Sequence, residues 1–325
     1  MKVAVTGAAG HLGGAVVRRL LDAGASVRAL VHQDRRGIEG LPLELHEGDL
    51  REPEVMARLV AGCERVIHLA ALISLDRADE AELQSINVDG VRTVMAACAA
   101  AGVRRVVHAS SIHAFSALPV DAPVDESRGP AEPGAPPYDR SKAAGEAVVR
   151  EALAGGLDVV VVNPTAIVGP YDFRPSRMGE VLLDLYHRRL PGLVAGGFDW
   201  VDVRDVAASV LAAAERAPMG GRYLLPGQWR SVVELAALVE AITGKRAPRM
   251  VSPMWLARAV APMAVGWAKL ARRRPLFTPI SLVALRNHKH VCGDRARAEL
   301  GHAPRPLEDT VRDTFAWFGE HGMLA

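Results

Sequence analysis

Short apolar runs alternate with longer stretches of helical period through the first half of the chain. Residues 3–6, 27–31, 43–46, 66–69, 105–109 and 159–163 are valine-rich or otherwise apolar and predict strands. Between them, 12–23, 54–61, 80–101 and 138–154 carry apolar positions at helical spacing. Strands separated by helices of this length imply right-handed crossovers and a parallel sheet. The runs read as apolar throughout rather than alternating, which predicts helices covering both faces. Residues 116–137 break the rhythm with six prolines and no period. Long loops inside a compact domain are commonly functional. Beyond residue 164 the alternation loosens: 177–189, 204–215, 231–243, 253–271, 294–300 and 307–321 look helical, and 221–225 reads as a return to a sheet.

Composition narrows the class of protein. The chain has 325 residues, 50% of them hydrophobic, and a net charge of +2. That balance excludes disorder as the main state and argues against nucleic acid as a partner. Cys63, Cys98 and Cys292 are too far apart in sequence for a metal-ligand spacing, so a reducing compartment with neither disulfide framework nor metal site is expected. The first residues enter a strand directly instead of an apolar leader, and no run of 18 apolar residues occurs. A cytoplasmic protein is expected.

Chemistry enters at the first turn. Gly7-Ala8-Ala9-Gly10-His11-Leu12-Gly13 follows the first strand and opens a helix. Three glycines at this spacing suit a tight turn, close approach of a pyrophosphate and close helix–strand packing, with free N–H groups aimed at the anion. The strand–turn–helix context is the one a dinucleotide site requires. The expected fold is therefore α/β, a Rossmann-type doubly wound parallel sheet with a smaller C-terminal substrate-binding domain. The boundaries read as 1–170, with 202–216 returning, for the dinucleotide domain, and 171–201 with 217–325 for the substrate part. At the end of the second strand no acid occupies Val31 or His32, where NAD enzymes place one. His32, Arg35 and Arg36 could surround a 2′-phosphate, so NADP is expected over NAD, although Asp34 lies nearby. Asp49 and Leu50 end the third strand, where adenine should rest, and Leu69, Ala70 and Ala71 end the fourth, beside the ribose and phosphates.

Tyr138 and Lys142 stand one helical turn apart at the start of a helix. A cation there favours the phenolate and makes tyrosine a proton donor to a carbonyl near neutral pH. Ser110 and Ser111 end the fifth strand at the same edge of the sheet. With these motifs, with Asn163-Pro164 and with Val201-Asp202-Val203-Arg204-Asp205, the sequence resembles the extended short-chain dehydrogenases/reductases of the NAD-dependent epimerase/dehydratase group. Within that group it is most like dihydroflavonol-reductase-like and hopanoid-associated sugar epimerase types. The resemblance implies that Ser111, with Ser110 as second choice, orients the substrate oxygen, that Tyr138 is the acid/base and that Lys142 binds the nicotinamide ribose. It implies that backbone from Pro164 to Ile167 passes the nicotinamide, and that helices 80–101 and 138–154 form a homodimer interface. His113 stands where the family has a small residue; it reads as a plain loop histidine in preference to a substrate contact.

The combined expectation is hydride transfer between NAD(P) and a carbonyl or secondary alcohol of a small molecule. A nucleotide-sugar epimerase with retained cofactor is the alternative, for which Arg174, Arg177, Arg188 and Arg189 could hold a sugar diphosphate. A cofactor-binding sensor without chemistry has no need of the serine, tyrosine and lysine. Leu256, Val260, Met263, Trp267 and Leu270 fall on one helical stripe ahead of Arg272-Arg273-Arg274. That stripe is read as a roof over a lipophilic site, in preference to a membrane-surface contact.

Overall fold

The structure, a computed structural model, describes residues 1–74, 79–120, 122–257, 259 and 279–325. Its centre is a seven-stranded sheet whose paired strands all run parallel. The order is β3 (Glu44–Glu47), β2 (Ser26–Val31), β1 (Lys2–Thr6), β4 (Arg65–His68), β5 (Arg105–Ala109), β6 (Val159–Pro164) and β10 (Arg222–Leu225). The strands are valine-rich because both faces are covered. Helices α1 (His11–Asp22) and α7 (Val203–Arg216) bury their apolar stripes on one face, and α2 (Pro53–Val60), α4 (Gly90–Ala100) and α5 (Pro137–Ala154) on the other. Burying a Val or Leu side chain here contributes on the order of 1.5–3 kcal/mol. The exception is β3, whose Glu-Leu-His-Glu run lies exposed at the sheet edge; reading it as covered on both faces does not hold. Glu44 there binds Lys2, Arg28 and His46 instead.

Strand order reverses between β1 and β4, which opens a crevice at the carboxyl ends of the strands. Everything chemical found in the sequence lies along that edge. The helix expected over 80–101 is interrupted: α3 (Glu80–Gln84) passes through one π turn, Ser85–Asp89, into α4. Of the loop expected over 116–137, residues 116–136 contain no helix or strand among those described, and Pro137 opens α5. Arg128 stitches this loop by donating to the carbonyls of Leu118, Ala122 and Pro123, and Val124 bridges to Val291.

The chain leaves the sheet through β7 (Ala166–Val168), one residue beyond β6. It pairs with β9 (Gly197–Asp202), which in turn pairs with β11 (Gln228–Ser231), forming a second sheet that sequence patterning does not reveal. Its strands are short and mix glycine, aromatic and charged residues. Helices α6 (Arg177–Tyr186), α8 (Val232–Thr243) and Leu307–Glu320 pack beside it around Trp200, Phe315 and Phe318. A parallel pair, β8 (Leu193–Val194) with β12 (Val251–Ser252), lies alongside. Two segments beyond residue 217 join the core of the large sheet. Tyr223 and Leu225 of β10, with Ala296 and Leu300 of helix Asp294–Leu300, are buried in the same core as β1 and α7. Both segments therefore belong with the large sheet. Val260, Met263, Trp267 and Leu270 of the apolar stripe lie outside the described residues. Among the described residues, no helix is long and apolar enough to cross a membrane.

Candidate active site

The glycine turn has no room for side chains. Gly7 takes φ +69°, and a Cβ on it would stand 2.6 Å from Ala70 N. A Cβ on Gly13 would stand 2.0 Å from the Gly7 carbonyl oxygen. These contacts seat Leu69 and Ala70 directly against the turn. Gly10 begins α1 without any side-chain cap, so the first-turn N–H groups of His11, Leu12 and Gly13 remain available to an anion. The residues present thus fit a dinucleotide pyrophosphate. The His11 imidazole is held by the loop that follows β7. Its Nε2 donates toward the carbonyls of Gly169 (3.1 Å) and Pro170 (3.0 Å), bracing the turn against the loop that leads into α6.

The adenosine end gathers charge of both signs. Gly37 packs against the Ala9 carbonyl, which brings the Asp34–Arg36 bend alongside the turn. Arg36 clamps Asp34 through Nε (2.9 Å) and Nη2 (2.6 Å). That clamp holds the Asp34 carboxyl below the usual carboxylate range, against some desolvation, and the charge of Arg174 adds to it. Arg35 turns away to Glu47, so it does not join Arg36. His32 is exposed. Asp49 is gripped by Arg51, which lowers its pKa, and feels the charge of His32. Leu50 lies against Gly90, where a Cβ would come within 2.0 Å of it.

At the other end, Ser111 and Tyr138 meet. Both are buried, and a hydrogen bond from Ser111 acts on the phenol. The Ser111 Oγ also accepts from the His113 N–H (3.2 Å), starting a single 3₁₀ turn. Asn163 Nδ2 donates to the Ser111 carbonyl (3.0 Å) and to Glu146 (2.6 Å), which pairs in turn with Arg222 (2.7 Å). Ser110 is buried with no partner for its hydroxyl among the described residues. Lys142 donates to the Ala109 carbonyl (3.1 Å). Burial pushes Lys142 down to about 8, with Glu146 opposing. Tyr138 is pushed up to about 12 by burial, with Ser111 opposing and Asp139 adding to it. The expected lowering of the phenol by Lys142 is therefore not found. Desolvation outweighs it, and the ammonium is turned to Ala109. Near Lys142, the His68 and His108 rings lie tilted at 32° with centroids 5.1 Å apart, and burial drives both well down, His68 to about 3.

The profile of the NAD dependent epimerase/dehydratase family matches residues 3–225. The chain belongs to that family. It is 39% identical over its whole length to sterol demethylase protein B of Methylococcus capsulatus, covering all of that protein. It is 32% identical to 4-hydroxy-2-methyl-3-oxo-4-farnesyl-3,4-dihydroquinoline-1-oxide ketoreductase of Stigmatella aurantiaca, covering 100% of this chain and 98% of the other. The crystal structure of gox2253 superposes with a TM-score of 0.85 at 33% identity, covering 99% of both chains. This family member is an NAD(P)-dependent enzyme of the extended short-chain dehydrogenase/reductase type, and it transfers hydride.

Several site residues escaped the sequence reading. Asn87, displaced by the π turn, receives the Leu72 N–H (2.8 Å) and donates to the Leu72 carbonyl (2.9 Å) and Ser141 Oγ (3.0 Å). It thereby fixes the strand-end loop over α5. Glu146 and Asn163 form a buried pair visible only once α5 lies on β6. Asp139 gave no signal beyond its place next to Tyr138.

Proposed function

We propose that the enzyme reduces the carbonyl of a lipophilic small molecule, with NADPH as the hydride source. The observation that carries this reading is the meeting of Ser111 and Tyr138, both buried, at the sheet edge that also holds the glycine turn. When bound, the nicotinamide supplies a hydride to the carbonyl carbon. Ser111 and Tyr138 both hydrogen-bond the carbonyl oxygen, and Tyr138 gives it the proton, completing the alcohol. Ser110 backs up Ser111 in holding the oxygen. Lys142, beside Tyr138 in sequence and freed from Ala109, holds the nicotinamide ribose and supplies the positive charge that a buried phenol needs to lose its proton. Backbone from Pro164 to Ile167 lines the nicotinamide, and Asp49 and Leu50 the adenine. The burial of Tyr138 and Lys142 keeps bulk water from the transfer.

The names of the two relatives, a sterol enzyme and a farnesylated quinoline ketoreductase, support a lipophilic ketone. A sugar diphosphate is less well served. Arg174 acts on Asp34 at the cofactor end, and Arg189 pairs with Asp184. For the cofactor, Arg36 and Arg174 around Asp34, with His32 beside Asp49, favour a 2′-phosphate, and the exposed Arg36–Asp34 pair is weak enough to be exchanged for one. The cytoplasm and a two-fold homodimer through α4 and α5 complete the proposal. The test is NADPH oxidation against apolar ketones and aldehydes, set beside turnover of nucleotide sugars without net cofactor change. Sugar turnover with no ketone reduction overturns the reading.

A further inference from the structure

Trp200 and Trp317 bury their rings in the core beside the second sheet. Trp255 does the reverse and stands 71% exposed. Met250, 61% exposed, and Val251 precede it, and Leu256 follows it, all open to solvent. Leu256 is the first residue of the apolar stripe expected to roof the substrate site, so the stripe begins on the outside. Helical phase explains the exposure. Among residues 254–257, Met254 and Ala257 pack on Val194, Leu282 and Leu285. Positions three apart share a face, so Trp255 and Leu256 between them turn outward. Strand β12 is held from behind as well. The Leu193 N–H donates to the Met250 carbonyl (2.9 Å), and the Ala195 N–H to that of Ser252 (3.2 Å). The exposed side chains therefore stand on a fixed backbone.

The charge around them is of one sign. Residues 241–293 hold ten Lys and Arg and no Asp or Glu, leaving 29 basic against 37 acidic residues in the rest of the chain. Lys245, Arg246 and Arg249 lead into β12, and Arg188 and Arg189 lead into β8; all five are exposed. The two strands run parallel, with Val251 beside Leu193, so both basic runs arrive at the same end of the pair. Arg189 is answered by Asp184 and Arg249 by Glu240. No carboxylate pairs with Arg188, Lys245 or Arg246 among the described residues, and Lys245 lies over the Tyr186 ring. An exposed apolar patch marks a contact surface, and tryptophan suits a boundary between apolar and wet. Protein interfaces disfavour lysine and pair charges of both signs, whereas anionic headgroups select an unbroken excess of cations. We propose that Met250, Val251, Trp255 and Leu256 dock the enzyme reversibly on an anionic lipid surface, with Arg188, Lys245 and Arg246 facing the headgroups. The docking goes beyond the ketone-reductase reading and does not depend on it.

The experiment is flotation of the full chain with vesicles of phosphatidylcholine alone and of about two parts phosphatidylcholine to one of phosphatidylserine. The wild type floats with the anionic vesicles, stays behind with the neutral ones, and is released as salt rises. Each basic side chain near such a surface strengthens partitioning about fivefold, so Lys245→Ala combined with Arg246→Ala weakens binding about 25-fold. Trp255→Ala weakens it about tenfold, through loss of one large apolar contact. Trp255→Phe, which keeps a ring, loses less and serves if the alanine variant does not fold. Because these side chains are exposed, urea midpoints stay at the wild-type value. Absence of flotation overturns the proposal, as does equal flotation with neutral vesicles. Flotation that every variant retains removes this face from the contact and overturns it too. Self-association seen by light scattering, lost in Trp255→Ala and unaccompanied by flotation, assigns the face to a second copy of the chain instead.

Discussion

Replacing Lys142 by methionine should make the protein more stable while ending its activity. The ammonium is buried beneath the site, and burial lowers its pKa from 10.5 to about 8. Such a shift corresponds to about 3 kcal/mol of native-state destabilisation at neutral pH. Against it stands the hydrogen bond to the Ala109 carbonyl at 3.1 Å, a charge-assisted bond of about 1.5–3 kcal/mol whose loss the variant bears. Methionine fills a similar volume without the charge, so the net gain is on the order of 1 kcal/mol at pH 7. The pH dependence identifies the cause. A group whose folded pKa is depressed favours the folded state above its unfolded pKa, and that advantage is lost as pH falls through the folded value. The wild type should therefore regain stability between pH 8 and about 10, where the unfolded chain still holds the proton and the folded one has released it. Urea denaturation of both proteins at pH 7, 8, 9 and 10 measures this as a difference, in which the titrations common to the two proteins, Tyr138 included, cancel. A variant that is less stable at pH 7, by a margin constant over that range, would refute the burial argument.

Tyr138→Phe should lower turnover by about 10²–10⁴-fold with cofactor affinity nearly unchanged, because only the transferable proton is removed; single-turnover kinetics and calorimetry read the two separately. Gly13→Val should abolish cofactor binding and destabilise the turn, since even a Cβ there collides with the Gly7 carbonyl oxygen; normal NADPH affinity would contradict the packing. Calorimetry should find NADPH tighter than NADH, with Arg36→Ala narrowing the gap, and equal affinities would dismiss the 2′-phosphate site. Light scattering at micromolar concentration should give a dimer mass, and a monomer would exclude the α4–α5 interface.

How much was legible in the sequence depended on periodicity and on neighbours. Five of the six strands of the first half follow from apolar runs that are continuous because both faces are buried, β3 being the exposed exception, the four helices follow from their apolar spacing, and the glycine turn follows from the steric demand at Gly7 and Gly13. The second sheet was not legible. Strands such as Gly197–Asp202 bury some residues through aromatic packing and others through hydrogen bonds, as when Asp199 bonds Thr165 and the Gly227 N–H. No apolar period survives that mixture. At the site, Ser111, Tyr138 and Lys142 stood out because their spacing carries chemistry. Asn87 and Glu146 did not, because a buried polar residue is recognisable only with its partner, and theirs lie 15 to 76 positions away. The proton balance between Tyr138 and Lys142 was likewise invisible, since spacing says nothing about solvent.

The late return of the chain to its large sheet also governs how the protein is made. Strand β10 and helix Asp294–Leu300 complete a core begun by the first five residues of β1. A ribosome that has just released β6 has therefore delivered a sheet with an uncovered edge. At synthesis rates of about 5–20 residues per second, the last helix of that core follows only after roughly 7–27 s. Until β10 follows, after roughly 3–12 s at the same rates, the valines of β6 have no strand beside them on one side, and an unpaired parallel edge invites pairing with another chain. That stretch of synthesis is when the growing chain is most open to mispairing with another copy.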